Sequence, residues 1–203
     1  MRLREFFSFR TVKYIIVIVV ALVAGVFLGR FITNYETRYL LSREYCGSYR
    51  GIDVYKCGEI NAENFIGHAH MLEQAPEVIV ECCTNMYFVG GEISIPASGG
   101  GIALGLTQDS TVYISTDSFD VDVVYHELFH TYDNVNGGIS ESEEFLNIFY
   151  REQDNVFVEV IDSDDHSAEF FAAAGAQYLL EPETLKLAAP KTFDYINGLL
   201  GCY

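Results

Sequence analysis

The chain has 203 residues, enough for one globular domain and a short additional segment and too few for a multi-domain assembly. Half of it is hydrophobic (50%) and 14% is aromatic, which supports a packed core and excludes wholesale disorder. Twelve Lys+Arg against 29 Asp+Glu give a formal net charge of -17, which excludes a nucleic-acid backbone as the main partner.

The charge is unevenly placed. Residues 1–33 hold five basic residues and one acid, whereas no Lys or Arg occurs from Cys57 to Tyr150. Within the basic head, Tyr14 to Gly29 is an uncharged run rich in Val and Ile, flanked by Lys13 and Arg30. Extended by Val12, Phe31 and Ile32, with Lys13 and Arg30 snorkelling, it approaches the ~20 residues of a membrane span. Arg2, Arg4, Arg10 and Lys13 precede it, so the positive-inside rule predicts a cytoplasmic N-terminus and an extracytoplasmic remainder. The expected organisation is a basic tail (1–13), a transmembrane signal anchor (14–32), a stalk (33–60) and one domain (61–203). A cleaved signal peptide is the alternative, but the small-residue stretch Val23-Ala24-Gly25 lies in the middle of the run rather than after it.

Cys46 and Cys57 bracket a Gly-containing segment that reads as a disulfide loop, and Cys82, Cys83 and Cys202 make the total odd. One of the adjacent pair is expected to bond Cys202, leaving the other as a small core residue. Val78–Glu81, Glu92–Pro96, Ile102–Leu106 and Thr111–Ser115 read as short strands separated by turn residues. The glycines at 99–101 mark a hairpin turn; no Lys-Ser/Thr follows them, as a phosphate loop requires. After Asp117 the pattern becomes helical. Asp117 or Ser118 caps a helix running to about Asp133, and Ser140 with Glu143 forms a capping box for a second. Ser167 caps a third, Ala168 to Leu180, which Pro182 stops, and Pro190 opens a fourth. Strands followed by helices predict an α+β domain with a short, antiparallel-rich sheet.

The first helix contains His126-Glu127-Leu128-Phe129-His130. Spacing i, i+4 puts both imidazoles on one helix face, which suits two ligands of a tetrahedral Zn²⁺. Glu127 is then placed to take a proton from water at the metal's open position. A catalytic zinc needs a third protein ligand, and Asn136 stands where a further His would complete a longer helical motif. Glu141, Glu143 and Glu144 read as a solvated first turn, and Asp162, Asp164 and Asp165 as loop. Glu169 opens an apolar helix, either as a first-turn acid favoured by the helix dipole or as the third ligand of one zinc per chain.

HELFHTYD at 126–133, SAEFFAAAGAQYL at 167–179 and APKTFDYING at 189–198 resemble the anthrax lethal factor-related metallopeptidases, a group that includes secreted bacterial Pro-Pro endopeptidases. The resemblance covers roughly residues 60–203. It implies a compact zincin-like domain with zinc held by His126, His130 and Glu169, and Glu127 as general base. Two positions depart from the family pattern: Ala173 replaces a Glu four residues after the ligand, and Asp162 replaces an oxyanion-stabilising Tyr seven residues before it. His166, Tyr150 and Tyr132 are the substitute donors to consider, and Asp133 is the candidate to support a zinc-bound His.

The reading is a membrane-anchored, outward-facing zinc endopeptidase acting on a protein or peptide, with Thr111–Thr116 as an edge strand that pairs with substrate. The alternative is a degenerate zincin that serves as a surface binding module. Full-length protein is expected to sediment with membranes and to be released by external protease as a folded domain. A soluble mature chain starting near residue 25 would reject the anchor in favour of a signal peptide.

Overall fold

Two consecutive residues at positive φ, Arg50 (50°) and Gly51 (85°), close the tight turn between β1 (Arg43–Tyr49) and β2 (Ile52–Cys57), the backbone geometry of a twisted two-residue hairpin. In this computed structural model residues 43–95, 101–156 and 166–201 are described; the apolar run 14–32, Asp162 and Cys202 lie outside them. Among the described residues no helix is long and apolar enough to cross a membrane.

The Arg50 guanidinium reaches from the hairpin to helix α1 (Ala62–Gln74), where Nη1 donates to the carbonyls of Leu72 (3.0 Å), Glu73 (3.3 Å) and Ala75 (2.7 Å). It supplies the cation that the last turn of α1 lacks. The other end of α1 is capped by Asn61, whose side chain accepts from the N–H groups of Glu63 and Asn64.

Segment 43–57, expected as stalk, is therefore part of the sheet, and Glu44–Tyr203 forms one compact unit. The expected Cys46–Cys57 disulfide is absent: Cys46 is an exposed free thiol 3.6 Å from the Glu44 carbonyl, while Cys57 is buried. The turn and the sheet hold this loop without a covalent link. Cys82 and Cys83 are also free thiols, and burial pushes Cys83 up to about 12.

Val78–Glu81, expected as a strand, belongs to a helical turn, α2 (Glu77–Val80). Pro76 starts it at φ −56°, and its carbonyl accepts from Ile79 and Val80, so local proline geometry overrides the β preference of Val and Ile. β3 (Asn85–Val89) follows. The expected strand 102–106 splits at Leu104 into β5 (Gly101–Ala103), which pairs antiparallel with β4 (Ile93–Ile95), and β6 (Gly105–Gln108), which joins the main sheet.

The main sheet has the order β1-β2-β3-β7-β6, with β7 spanning Thr111–Ser115. β2–β3 and β3–β7 are parallel and β6–β7 is antiparallel, so the sheet is mixed rather than antiparallel-rich. β7, expected at the edge, is interior; β1 and β6 are the two edge strands among the described residues, and β6 is the one that adjoins helix α3 (Val123–Val135).

One sheet face carries Val54, Met86, Phe88, Val112 and Ile114 into the core, with α1, α2 and the later helices packed against it. Helix α3 (Val123–Val135) starts later than expected because Asp117 is engaged elsewhere, accepting from the Gly91 N–H at 2.9 Å. A 3-10 turn (Ile139–Glu141) leads to α4 (Glu143–Glu152), capped by Ser142 rather than Ser140. After it come α5 (His166–Leu180), α6 (Pro182–Ala188) and α7 (Pro190–Leu200). Pro182 opens α6 instead of only ending α5, because proline fits the first helical position.

A distant carboxylate completes the helical layer. Glu152, 7% exposed, accepts from the N–H groups of Lys191 (3.2 Å) and Thr192 (2.9 Å) and from the Thr192 hydroxyl (2.8 Å) at the start of α7. Charge-assisted bonds to a helix N-terminus stabilise by about 1.5–3 kcal/mol, so Glu152→Ala is expected to lower unfolding free energy by about 2–3 kcal/mol in denaturant titration. Exposed Glu181→Ala is expected to change it by less than about 0.5 kcal/mol.

Candidate metal centre

Helical spacing places His126 and His130 one above the other on α3, and their Nε2 atoms are 3.0 Å apart. Glu169, in the first turn of α5, completes the set: its Oε2 lies 3.3 Å from His126 Nε2 and 3.5 Å from His130 Nε2. All three side chains are half-buried, and together they can hold a metal ion.

The close packing of α3 and α5 makes this possible. Gly175 of α5 lies directly against the Phe129 ring, where any Cβ would collide, and Phe129 meets Phe171 edge to face at 5.7 Å. Side chains on the remaining faces of both helices are largely buried, so Glu169 is carried on a fixed scaffold.

The donor set fits zinc. Four ligands at about 2.0–2.1 Å in a tetrahedron stand about 3.3 Å apart, and separations of 3.0, 3.3 and 3.5 Å describe one face of such a tetrahedron. Two imidazole nitrogens and one carboxylate oxygen leave the fourth position open, as a catalytic site requires. Burial alone would raise the Glu169 pKa, but bonding to His126 and His130 outweighs it and holds the carboxyl well below the usual range. Burial lowers the His130 pKa, yet the bond to Glu169 and the charges of Glu127, Glu169 and Asp133 give a net rise.

Glu127 is 6% exposed and lies beneath the edge strand. The Thr107 hydroxyl, with one proton to donate, lies 2.7 Å from its Oε2 and 2.9 Å from its backbone carbonyl, which also accepts from the Thr131 hydroxyl (2.8 Å). The two histidines, Glu127 and Glu169 line one cleft of about 840 Å³, walled by β6 on one side and by Gly137, Gly138 and Glu141 on the other. Asp109, Asp120 and Asp122 add carboxylates to the wall, and no Lys or Arg lines it among the described residues.

The remaining candidates are distributed differently. Asp133 faces the cleft, but its carboxylate accepts from the Ser140 N–H (2.8 Å) and hydroxyl (2.6 Å), pinning the Gly137–Gly138 turn. Ala173 lines the cleft and offers no polar atom. His166 is exposed at the start of α5; Tyr150 is 67% exposed on the solvent side of α4; Tyr132 is buried against Phe129. None of these three lines the cleft. Thr107 and Gly105 carry no motif and are visible only in three dimensions, and Ser140, expected as a helix cap, instead holds Asp133.

An α+β fold with a His-Glu-His helix, a third carboxylate from a later helix and a cleft beside an edge strand defines a metallopeptidase-like architecture. The family profile described as "Anthrax toxin lethal factor, N- and C-terminal domain" matches residues 95–199, and the chain belongs to this lethal factor-related metallopeptidase family. The fold is similar to that of the Pro-Pro endopeptidase PPEP-2 from Paenibacillus alvei, at 21% identity and a TM-score of 0.52, over 72% of this chain and 96% of that one. No curated protein sequence matches the chain.

The purified protein is expected to bind one zinc per chain by metal analysis and isothermal titration. His126→Ala, His130→Ala and Glu169→Ala should each weaken binding by orders of magnitude, whereas Glu127→Gln should not. Binding must displace the proton held at His130, whose pKa, despite burial, the bond to Glu169 and the nearby carboxylates raise, so affinity should fall as pH drops, with the fall beginning above the ordinary imidazole range.

Proposed function

We propose that the chain is a zinc-dependent endopeptidase, held at the outer face of a membrane by residues 14–32, that hydrolyses extended peptide segments laid along β6. The observation that supports this most strongly is the juxtaposition of the three-ligand triangle with the buried Glu127 under the outer edge of β6, with which no strand pairs among the described residues.

Zn²⁺ at His126, His130 and Glu169 would supply Lewis-acid chemistry, polarising a carbonyl and making water easier to deprotonate. Glu127 takes the proton from the attacking water and delivers it to the leaving amine. The outer edge of β6 offers backbone N–H and C=O groups to an extended substrate, which fixes the scissile bond relative to the helix. Among the described lining residues the charged side chains other than the two histidines are all acidic, which favours substrates with Lys or Arg near the cleaved bond. The fold of the Pro-Pro endopeptidase makes a proline-flanked bond the first sequence to try.

A metal-retaining binding module is the second reading. It is favoured by Ala173, which leaves the cleft without the carboxylate expected from the family resemblance.

Peptide-library hydrolysis separates the two. Glu127→Gln is expected to lose at least ~10²-fold in kcat while keeping its zinc. Peptides with Lys or Arg beside the cleaved bond should be cut faster than Glu-substituted versions, with the advantage shrinking as salt is raised. A zinc-loaded wild-type protein that cleaves nothing in the library would favour the binding module.

A further inference from the structure

β-strand periodicity puts Gly105 and Thr107, two residues apart, on one face of β6, and that face lies on Glu127. The Thr107 hydroxyl is within 2.7 Å of Glu127 Oε2 and 2.9 Å of the Glu127 carbonyl, so one group touches both the main chain and the reactive end of the same residue. Gly105 sits against the other carboxylate oxygen: a Cβ there would meet Oε1 and lie 2.6 Å from Cγ. Its φ is not in the left-handed region, so the glycine is needed for space rather than for backbone conformation. Among the described residues no other side chain hydrogen-bonds the Glu127 carboxylate.

We infer that Thr107 is a positioning residue for the general base. Its hydroxyl tethers Oε2, and Gly105 leaves room for the Oε1 side of the carboxylate under the strand, so that the head group is held in one orientation. The inference rests on Glu127 acting as the base. It adds a link between binding and chemistry: the strand proposed to pair with substrate also carries the tether, so seating the peptide and aiming the base depend on one rigid element. A neutral hydroxyl tether fits this task because it fixes the carboxylate without the full positive charge that would lower its basicity.

The test compares steady-state hydrolysis of a cleaved library peptide by zinc-loaded full-length wild type, Thr107→Val, Thr107→Ser, Gly105→Ala and Glu127→Gln, with zinc content and thermal unfolding measured for each. Valine keeps the β-branched shape and loses the hydroxyl; serine keeps the hydroxyl. The expected result is a ~10–100-fold fall in kcat for Thr107→Val, with KM within about twofold and zinc content unchanged, and recovery to within about threefold by Thr107→Ser. Gly105→Ala, which displaces the carboxylate from the opposite side, should also lower kcat at constant zinc. It keeps the inference testable if Thr107→Val folds poorly.

Wild-type kcat in Thr107→Val, with Glu127→Gln inactive, would overturn the tether and leave the base assignment standing. A rise in KM at constant kcat would also overturn it, assigning Thr107 to substrate pairing. Full activity of Glu127→Gln would instead remove the base on which the inference rests.

Discussion

The backbone of α5 lies directly on the Phe129 ring at Gly175, and the rest of the site depends on that contact. An alanine there would drive the two helices apart, because its Cβ would enter the ring. The helices carry the candidate metal ligands from separate parts of the chain, His126 and His130 on one and Glu169 on the other. A shift on the order of 1 Å between them would take Glu169 out of range of a ~2 Å metal bond. Phe171 and Phe145 continue the same layer, meeting edge to face at 5.1 Å, so the ligand geometry is set by close packing of aromatic rings rather than by loops.

Charge then decides what that geometry favours. The cleft gathers Glu127, Glu169, Asp109, Asp120, Asp122, Asp133 and Glu141 with no lysine or arginine among the described lining residues. Part of the cost of this arrangement is met locally: Glu169 bonds to two histidines, and Asp133 accepts two hydrogen bonds from Ser140. A divalent metal relieves the same repulsion more completely, which links metal binding to stability and to pH.

Legibility from sequence followed the range of each interaction. The histidine pair was readable because i, i+4 spacing on a helix is local geometry, and Glu169 because a carboxylate opening an apolar helix stands out. The strand after Thr111 and the helices after Asp117 and Pro190 were readable from their period and from the opening proline, whereas the caps expected at Asp117 and Ser140 were not the ones used. Thr107 and Gly105 were not, since their meaning comes from a helix twenty residues away. The strand at Val78–Glu81 failed because one proline outweighed three β-formers, and the Cys46–Cys57 bridge failed because a two-residue turn and Arg50 hold that hairpin without covalent help. The edge strand was misplaced for a further reason: parallel pairing of β7 with β3 is a long-range event that hydrophobic alternation does not encode.

X-ray absorption at the zinc edge of the metal-loaded protein tests the central claim most directly, because it counts ligands by element without reference to activity. The account predicts two imidazoles at about 2.0–2.1 Å with the remaining shell made of oxygen, and loss of one imidazole in His126→Ala. A sulfur shell at about 2.3 Å, which would place the metal at the Cys82–Cys83 pair, or a shell without imidazole, would contradict it.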